Sequence, residues 1–258
     1  MAEPDALIKQ SIKALLEGMQ LRVDEIPEAS TKTPDFLIDQ RKPNGSLLEV
    51  KTKQDDPNEL AAISAELDLG GVVARSKPTD QWNRLDNIIS SGVKQLQEYD
   101  PKHSAPHFIW FHCDGRDADL YSLRLKATLY GSRKLISTQI KDMVTCYYFW
   151  NSSFFRHRTA LDGVVISQEG EAQLNLNEFS LKFAVAQNSS LARAFGEAVF
   201  YPKKYQADAD VMINDSDGER KDENKILAYL QTKYRIDHLQ TIDMAQHTGM
   251  IRMPEPKA

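Results

Sequence analysis

Apolar positions follow a helical period in two parts of the first half of the chain. They recur every three or four residues over 5–19 and again over 80–99, which predicts two amphipathic helices. Two shorter segments, 35–40 and 46–53, are rich in apolar residues and predict adjacent strands. Residues 107–113 are largely apolar, as expected of a strand buried in the centre of a sheet. The predicted order is therefore helix, two strands, helix and strand.

Turn residues join the two strands into a hairpin that gathers charged side chains. The connector at 41–46 contains Asn44-Gly45, a dipeptide that favours tight turns between strands. Folding the chain back there would bring Asp35 close to Glu49. Glu49 and Lys51 lie two residues apart on one strand, so their side chains leave the same face. Two carboxylates and one ammonium group would then meet, a set that can hold a hard divalent cation and activate a water beside it.

The rest of the chain predicts a mixture of helices, strands and one long loop. Residues 54–79 contain many polar and small residues, and we expect a loop there with a short helix at 59–67. Thr79 or Asp80 would cap the helix that follows. The remaining predicted elements are a short strand at 21–26, a helix at 116–131 ending at Gly131, a strand at 143–150, a hairpin of 163–168 and 172–177, a helix at 189–197 capped by Ser189 or Ser190, and a charged helix at 220–235.

Length and composition fit one large α/β domain. The chain has 258 residues, of which 41% are hydrophobic, and this is enough for a sizeable core. We expect a mixed central sheet flanked by helices. Residues 1–115 would form its core of helix, hairpin, helix and strand. Residues 116–258 would form an α+β part that completes or extends the same domain.

Charge and cysteine content argue against several classes of protein. The net charge of −5 disfavours a clamp that binds DNA regardless of sequence, because such phosphate contacts need a basic surface. Cys113 and Cys146 are the two cysteines, so we expect neither a disulfide framework nor a four-cysteine metal site, and a reducing cytoplasm is the expected location. No apolar run approaches the ~20 residues of a membrane helix, and the acidic start lacks the features of a signal peptide.

Pro34-Asp35 followed by Glu49-Val50-Lys51 resembles the signature of the PD-(D/E)xK nuclease superfamily. This superfamily includes many restriction endonucleases, Holliday-junction resolvases and RecB-type nucleases. The order of the two motifs, their spacing and the predicted hairpin carry the resemblance, which extends over roughly residues 5–113. It implies a restriction-endonuclease-like core and metal-dependent hydrolysis of phosphodiester bonds.

The resemblance implies a role for each residue of the motif. Asp35 and Glu49 would bind Mg²⁺ or Mn²⁺ together with the backbone carbonyl of Val50. Lys51 would orient the attacking water and neutralise charge that builds on the phosphoryl oxygens. The simpler alternative is an exposed ion pair between Glu49 and Lys51, which would contribute under ~1 kcal/mol.

A second motif lies on the predicted helix at 80–99. Gln95-Leu96-Gln97-Glu98-Tyr99 fits the Gln-hydrophobic-x-x-Tyr pattern of RecB-type nucleases. Gln95 and Tyr99 are four residues apart and share one helix face. The resemblance implies that Gln95 helps to position the active site, whereas the alternative is an ordinary amphipathic helix. The iron–sulfur branch of these nucleases is excluded, because it needs more cysteines.

The superfamily often carries a further acidic residue on its first helix. Glu17 is the candidate here, although it lies away from the apolar stripe of its helix. Glu25 and Glu28 are alternatives on the approach to Pro34. The full set of metal ligands therefore stays open.

Basic and aromatic residues near the motif are candidates for nucleic-acid contact. These are Arg41, Lys53 and Tyr99. His103 and His107 are flanked by prolines, so no helix presents the two together and a zinc site is not expected.

Two functions compete on this sequence. The first is a metal-dependent nuclease that acts on DNA, in defence against foreign DNA or in repair. The sequence leaves open whether RNA is also a substrate, whether the substrate is single- or double-stranded, and whether the enzyme is an endonuclease or an exonuclease. A homodimer would match relatives that cut both strands. The second is a catalytically inactive module that binds nucleic acid or protein and retains the fold, which the acidic balance favours.

Overall fold

The structure of the protein, a computed structural model, describes residues 4–27, 32–39, 45–208, 210–218, 220–242 and 247–253. Two sequence predictions fall outside these residues: the hairpin connector at 41–44, which includes Arg41, and the alternative acid Glu28. Within the described ranges, every helix is too short or too polar to span a membrane.

Strands occur along the whole described chain. They are β1 (Val23–Glu25), β2 (Phe36–Ile38), β3 (Ser46–Lys53), β4 (Val73–Pro78), β5 (His107–Cys113), β6 (Arg133–Ile136), β7 (Val144–Tyr147), β8 (Gly163–Gln168), β9 (Glu171–Leu176), β10 (Val199–Phe200), β11 (Val211–Ile213), β12 (Gln240–Thr241) and β13 (His247–Arg252).

Helices separate most of these strands. They are α1 (Pro4–Gly18), α2 (Pro57–Asp68), α3 (Asn83–Tyr99), α4 (Ala118–Tyr130), α5 (Ser153–Arg156), α6 (Phe183–Gln187), α7 (Ser190–Phe195) and α8 (Glu223–Tyr234). Two of their ends follow directly from local sequence. Ser189 caps α7 by accepting a hydrogen bond from the Ala192 N–H, and α4 ends at Gly131, whose φ of 59° is left-handed.

A mixed seven-stranded sheet forms the centre of the molecule, in the order β1-β2-β3-β5-β8-β9-β10. The first three strands are antiparallel neighbours, and β3, β5 and β8 run parallel to one another. The strand β9 returns antiparallel to β8, and β10 lies parallel to β9. The predicted α/β class, with a mixed central sheet flanked by helices, is therefore confirmed.

Side chains of β3 alternate between two apolar layers. Leu47 belongs to the layer covered by α3 and α4, whereas Leu48 belongs to the layer covered by α1 and α7. Burying one leucine side chain stabilises the fold by about 1.5–3 kcal/mol, so these two layers fix which way the strand faces. Glu49 and Lys51 share the orientation of Leu47 and therefore lie on the side of α3.

Two smaller sheets flank the central one. The strands β11, β7, β6 and β12 form a four-stranded sheet, which shares an apolar cluster with α8. The strand β13 pairs antiparallel with β4. The short helix expected at 59–67 is present as α2, but the expectation of a loop over the rest of 54–79 is wrong in part, because β4 lies there. The partner of β4 lies far away in sequence, so no local pattern reveals this strand.

The start of α3 also differs from expectation. Neither Thr79 nor Asp80 caps this helix; Trp82 is the residue before its first turn, and no side chain makes the cap hydrogen bond. The Trp82 N–H donates instead to Thr128 Oγ1 at 3.1 Å, and the Trp82 ring stacks 6.2 Å from that of Tyr121. Contacts with α4 therefore decide where α3 begins.

Candidate functional site

The β2–β3 hairpin brings the two motif segments together. Phe36 pairs with Leu48, and continuing this antiparallel register by two residues places Pro34 opposite Val50. The Val50 N–H donates to Asp35 Oδ2 at 2.7 Å. The N–H and C=O of one strand residue point to the same neighbour, and proline has no N–H to offer the Val50 carbonyl. Pro34 therefore forms no strand-to-strand hydrogen bond with the Val50 carbonyl, which lies beside Asp35.

Glu49 is a buried carboxylate, and one of its two oxygens has no hydrogen-bond partner among the described residues. Its side chain is 2% exposed, and Oε1 accepts a hydrogen bond from Lys51 Nζ at 2.5 Å. Its other oxygen, Oε2, is buried and has no hydrogen-bond partner among the described residues. A buried polar atom without a partner costs about 1–3 kcal/mol, and more when it carries charge. This cost falls when Glu49 is protonated and shares the proton with Asp35, or when a cation supplies a partner for Oε2.

Burial changes the acidity of Glu49. Removal from water, and to a smaller extent the nearby charge of Asp35, raise the pKa of Glu49 from 4.5 to about 7. The Lys51 ammonium opposes this shift and lowers the Glu49 pKa in part. Two carboxylates this close repel each other, so a cation between them would stabilise both in the ionised form.

Lys51 and Gln95 connect the hairpin to α3. Lys51 Nζ donates to Gln95 Oε1 at 3.0 Å as well as to Glu49. Gln95 Nε2 donates in turn to the carbonyl of Thr33 at 2.9 Å. The amide of Gln95 therefore contacts both the lysine and the segment that leads into Asp35.

Gly92 allows α3 to lie against this part of the sheet. A Cβ atom at Gly92 would be 2.9 Å from Ile109 Cδ1 and 3.4 Å from Lys51 Cε. The first distance is shorter than real contacts, and Ile109 is fully buried, so it has little room to move. The glycine therefore sets the distance between α3 and the lysine.

We expect the substitution Gly92→Val to destabilise the protein by about 1–3 kcal/mol, because the branched side chain would overpack the contact with Ile109. Urea unfolding of the purified variant measures this loss. Ser91→Val is the matched control, since Ser91 is its exposed neighbour in the same helix and should change stability by less than about 0.5 kcal/mol. Equal stability of the two variants would contradict this account of the packing.

A polar cavity of about 710 Å³ contains these groups. It is the place where the hairpin, α3 and the first turns of α1 meet. The residues that line it are Asp5, Lys9, Ile26, Lys32, Thr33, Pro34, Asp35, Glu49, Val50, Lys51, Thr52, Gln54 and Gln95. Acidic, basic and amide side chains dominate this list, so the cavity suits a hydrated, charged ligand.

The first helix contributes different residues from the one predicted. Glu17 is exposed and does not line the cavity, whereas Asp5 and Lys9 do. Lys9 Nζ lies 2.5 Å from Asp35 Oδ1. Asp5 and Lys9 are four residues apart and share one face of α1, but this spacing alone does not show that the face meets Asp35. Glu25 is also placed elsewhere, paired with Lys13 at 2.6 Å.

The residues predicted to contact nucleic acid are not all near the cavity. Lys53 is 6% exposed; its ammonium lies 4.3 Å from the Tyr121 ring centre and donates to the Gln54 carbonyl. The prediction that Lys53 contacts nucleic acid is therefore wrong, because its ammonium group is covered by the rings of Trp82, which precedes α3, and Tyr121 of α4. Tyr99 is 44% exposed at the end of α3, outside the cavity lining.

The oxygen donors suit a divalent cation that keeps part of its water shell. Within the described parts of the chain, no three His, Cys, Asp or Glu side chains form a group that could hold a metal by themselves. Asp35, Glu49 and the Val50 carbonyl offer two carboxylates and one backbone oxygen. Mg²⁺ is usually bound through one or two carboxylates and several waters, so this donor set fits it. The unpartnered oxygen of Glu49 supports the same reading.

A second buried polar cluster is fully engaged within the protein. The rings of His103 and His107 lie 4.3 Å apart, brought together by a turn rather than a helix. Their Nε2 atoms contact the carboxylates of Asp162 at 2.7 Å and Asp100 at 3.3 Å. Each Nδ1 atom lies within 3.1 Å of a backbone carbonyl oxygen. All four ring nitrogens are occupied, so this cluster is structural.

Comparison with protein-family models, with curated proteins and with solved structures finds no match to this chain. The candidate site is therefore judged by its own geometry.

Proposed function

We propose that this chain is a divalent-metal-dependent nuclease of the PD-(D/E)xK type that hydrolyses phosphodiester bonds of DNA. One observation carries the proposal. The buried Glu49 carboxylate has an oxygen without a partner, and it lies beside Asp35 and Lys51 in one polar cavity. Lys51 pairs with only one oxygen of this carboxylate, and a buried acceptor without a partner is costly unless a proton or a cation compensates it.

The order of elements around the site supports the same proposal. The helix α1 precedes the antiparallel strands β1, β2 and β3, and α3 then leads into β5, which is parallel to β3. With α2 and β4 inserted before α3, this is the order of helix, strands, helix and strand that the resemblance implies. Asp35 lies immediately before β2, and Glu49 and Lys51 lie on β3.

Asp35, Glu49 and the Val50 carbonyl would hold the cation. When bound there, Mg²⁺ or Mn²⁺ would supply Lewis-acid chemistry, lowering the pKa of water and offsetting charge on the phosphate. Asp35 is fixed for this role by the hydrogen bond from the Val50 N–H. Glu49 is fixed by its bond to Lys51, and Oε2 is buried without a hydrogen-bond partner among the described residues.

Lys51 has one donor more than its hydrogen bonds use. An ammonium group has three N–H donors, and among the described residues Glu49 and Gln95 accept two of them. The third is left for a phosphoryl oxygen or an attacking water. The lysine is held from two sides, so its charge is pre-organised where negative charge builds in the transition state.

The charges that line the cavity make it compatible with a polyanion, although the chain as a whole has a negative net charge. Lys9, Lys32 and Lys51 line the cavity, against the three acidic residues Asp5, Asp35 and Glu49. A divalent cation would turn this balance positive. The net charge of −5 is thus distributed over other parts of the chain and does not oppose phosphate binding at this site.

The test is cleavage by the purified chain. Linear DNA, supercoiled DNA, single-stranded DNA and RNA are incubated with Mg²⁺ or Mn²⁺, and in parallel with a chelator. We expect cation-dependent cleavage of DNA that Asp35→Ala abolishes. Asp24→Ala is the matched control, because Asp24 is a partly exposed neighbour on β1 that pairs with Arg22 and should retain activity.

Two results would overturn the proposal in different ways. Cleavage that survives Asp35→Ala would place the active site elsewhere. The lack of cleavage of any of these nucleic acids would favour the non-catalytic binding module, whose carboxylates are neutralised by Lys9 and Lys51 instead of a cation.

A further inference from the structure

Lys9 binds the same carboxylate that would hold the cation. Its Nζ lies 2.5 Å from Asp35 Oδ1, while Asp35 Oδ2 accepts the Val50 N–H at 2.7 Å. Both oxygens of Asp35 are therefore engaged by positive or donor groups of the chain itself. The side chain of Asp35 is 12% exposed, so its charge is only partly screened by water.

Buried side chains fix the helix that carries Lys9 to the sheet, whereas the side chain of Lys9 is partly exposed. Ile12 and Leu16 of α1 are buried in the layer under the central sheet, and Lys13 pairs with Glu25 one turn further along. The side chain of Lys9 itself is 39% exposed. A lysine has four side-chain carbons, so its ammonium can leave Asp35 without any movement of α1.

We infer that Lys9 is an internal competitor of the divalent cation at Asp35, and so sets the cation concentration at which the site fills. This inference rests on the proposed function and concerns the regulation of the same site. Without a cation, Lys9 neutralises Asp35 and limits its repulsion with Glu49. A cation that binds Asp35 repels the ammonium, which then turns to the cavity, where a phosphate oxygen is a suitable partner.

Thermodynamic linkage makes the inference measurable without nucleic acid. If binding of the cation weakens the ion pair between Lys9 and Asp35, that ion pair must weaken binding of the cation by the same factor. Removing the charge of Lys9 should therefore tighten cation binding. This is a gain of affinity, which a merely structural role for Lys9 would not produce.

The experiment measures Mn²⁺ binding by calorimetry for the full chain and three variants. Lys9→Met removes the charge but keeps the length, and we expect Mn²⁺ to bind it about three- to tenfold more tightly. Lys9→Arg keeps the charge and should bind like the unsubstituted chain. Lys13→Met is the matched control one turn along α1, and its affinity should change by less than about twofold.

Each outcome separates this inference from the proposed function. Mn²⁺ affinity that is equal or weaker in Lys9→Met would overturn the competition. If Mn²⁺ binds Lys9→Met more tightly than the unsubstituted chain, but no form cleaves nucleic acid, the competition is supported and the proposed nuclease function is overturned. The absence of Mn²⁺ binding by the unsubstituted chain would overturn both.

Discussion

Replacing Lys51 with methionine is expected to lower the rate of DNA cleavage by about 10²- to 10³-fold while the protein stays folded. The ammonium group is held by Glu49 and Gln95 at one edge of the cavity, where its remaining donor can reach a phosphoryl oxygen. Methionine has a similar length and can follow the same path past Gly92. The loss should therefore come from the missing charge and not from repacking.

Initial rates at saturating Mn²⁺ measure this effect. Lys51 lowers the Glu49 pKa, so its removal raises that pKa further, and the assay must be repeated at alkaline pH, where Glu49 is ionised in both forms. Lys94→Met is the control, since Lys94 is 78% exposed on the same helix as Gln95. Lys51→Arg should remain impaired, because the guanidinium is planar and too wide for this position. A loss below tenfold for Lys51→Met at alkaline pH would remove Lys51 from the mechanism.

Local sequence was sufficient to predict the part of the site that lies on the hairpin. The apolar residues of β2 and β3 favour this register, because a slip by one residue would exchange the layers of Leu47 and Leu48 and turn Glu49 towards the apolar layer of α1 and α7. Once the register is fixed, Asp35, Glu49 and Lys51 must meet. The helical spacing over 80–99 predicted that Gln95 and Tyr99 share one face of α3, but the contact of Gln95 with Lys51 came only from the structure.

Contacts between distant elements could not be predicted in this way. Lys53 has the same strand orientation as Lys51, yet it is covered because α4 lies over the end of β3, and the position of α4 is a property of the whole fold. Lys9 and Asp5 reach the cavity because α1 crosses the edge of the sheet beside Asp35. A helical wheel shows that Asp5 and Lys9 share a face, but it does not show what that face meets.

The pairing of β4 with β13 illustrates the same limit for the fold. Val73–Pro78 contains charged and small residues with no clear alternation, and its partner strand begins at His247. Arg75 and Lys77 both pair with Glu59 of α2, and Lys77 also pairs with Asp117. These ion pairs connect segments that are far apart in sequence, so no window of sequence contains the information.

Glu49→Gln is expected to stabilise the cation-free protein at about pH 8 by about 1–3 kcal/mol, although it removes the proposed metal ligand. Burial raises the Glu49 pKa from 4.5 to about 7, so the folded protein holds this proton more tightly than the unfolded chain does. Folding stability therefore falls as pH rises from about 4.5 to about 7, and the full cost of the buried charge is present above that range. Glutamine has the same shape and carries no charge to bury.

Urea unfolding in the presence of a chelator measures the difference at about pH 5 and about pH 8. The variant should gain stability over the unsubstituted chain mainly at the higher pH. Glu59→Gln is a control of opposite sign, because hydrogen bonding to Lys77 lowers the Glu59 pKa and loss of its charge should destabilise the protein at about pH 8. With Mn²⁺ added, the unsubstituted chain should gain stability and Glu49→Gln should not.

If Glu49→Gln were instead less stable at about pH 8 without a cation, the Glu49 charge would already be compensated within the protein, and the observation on which the metal site rests would be lost.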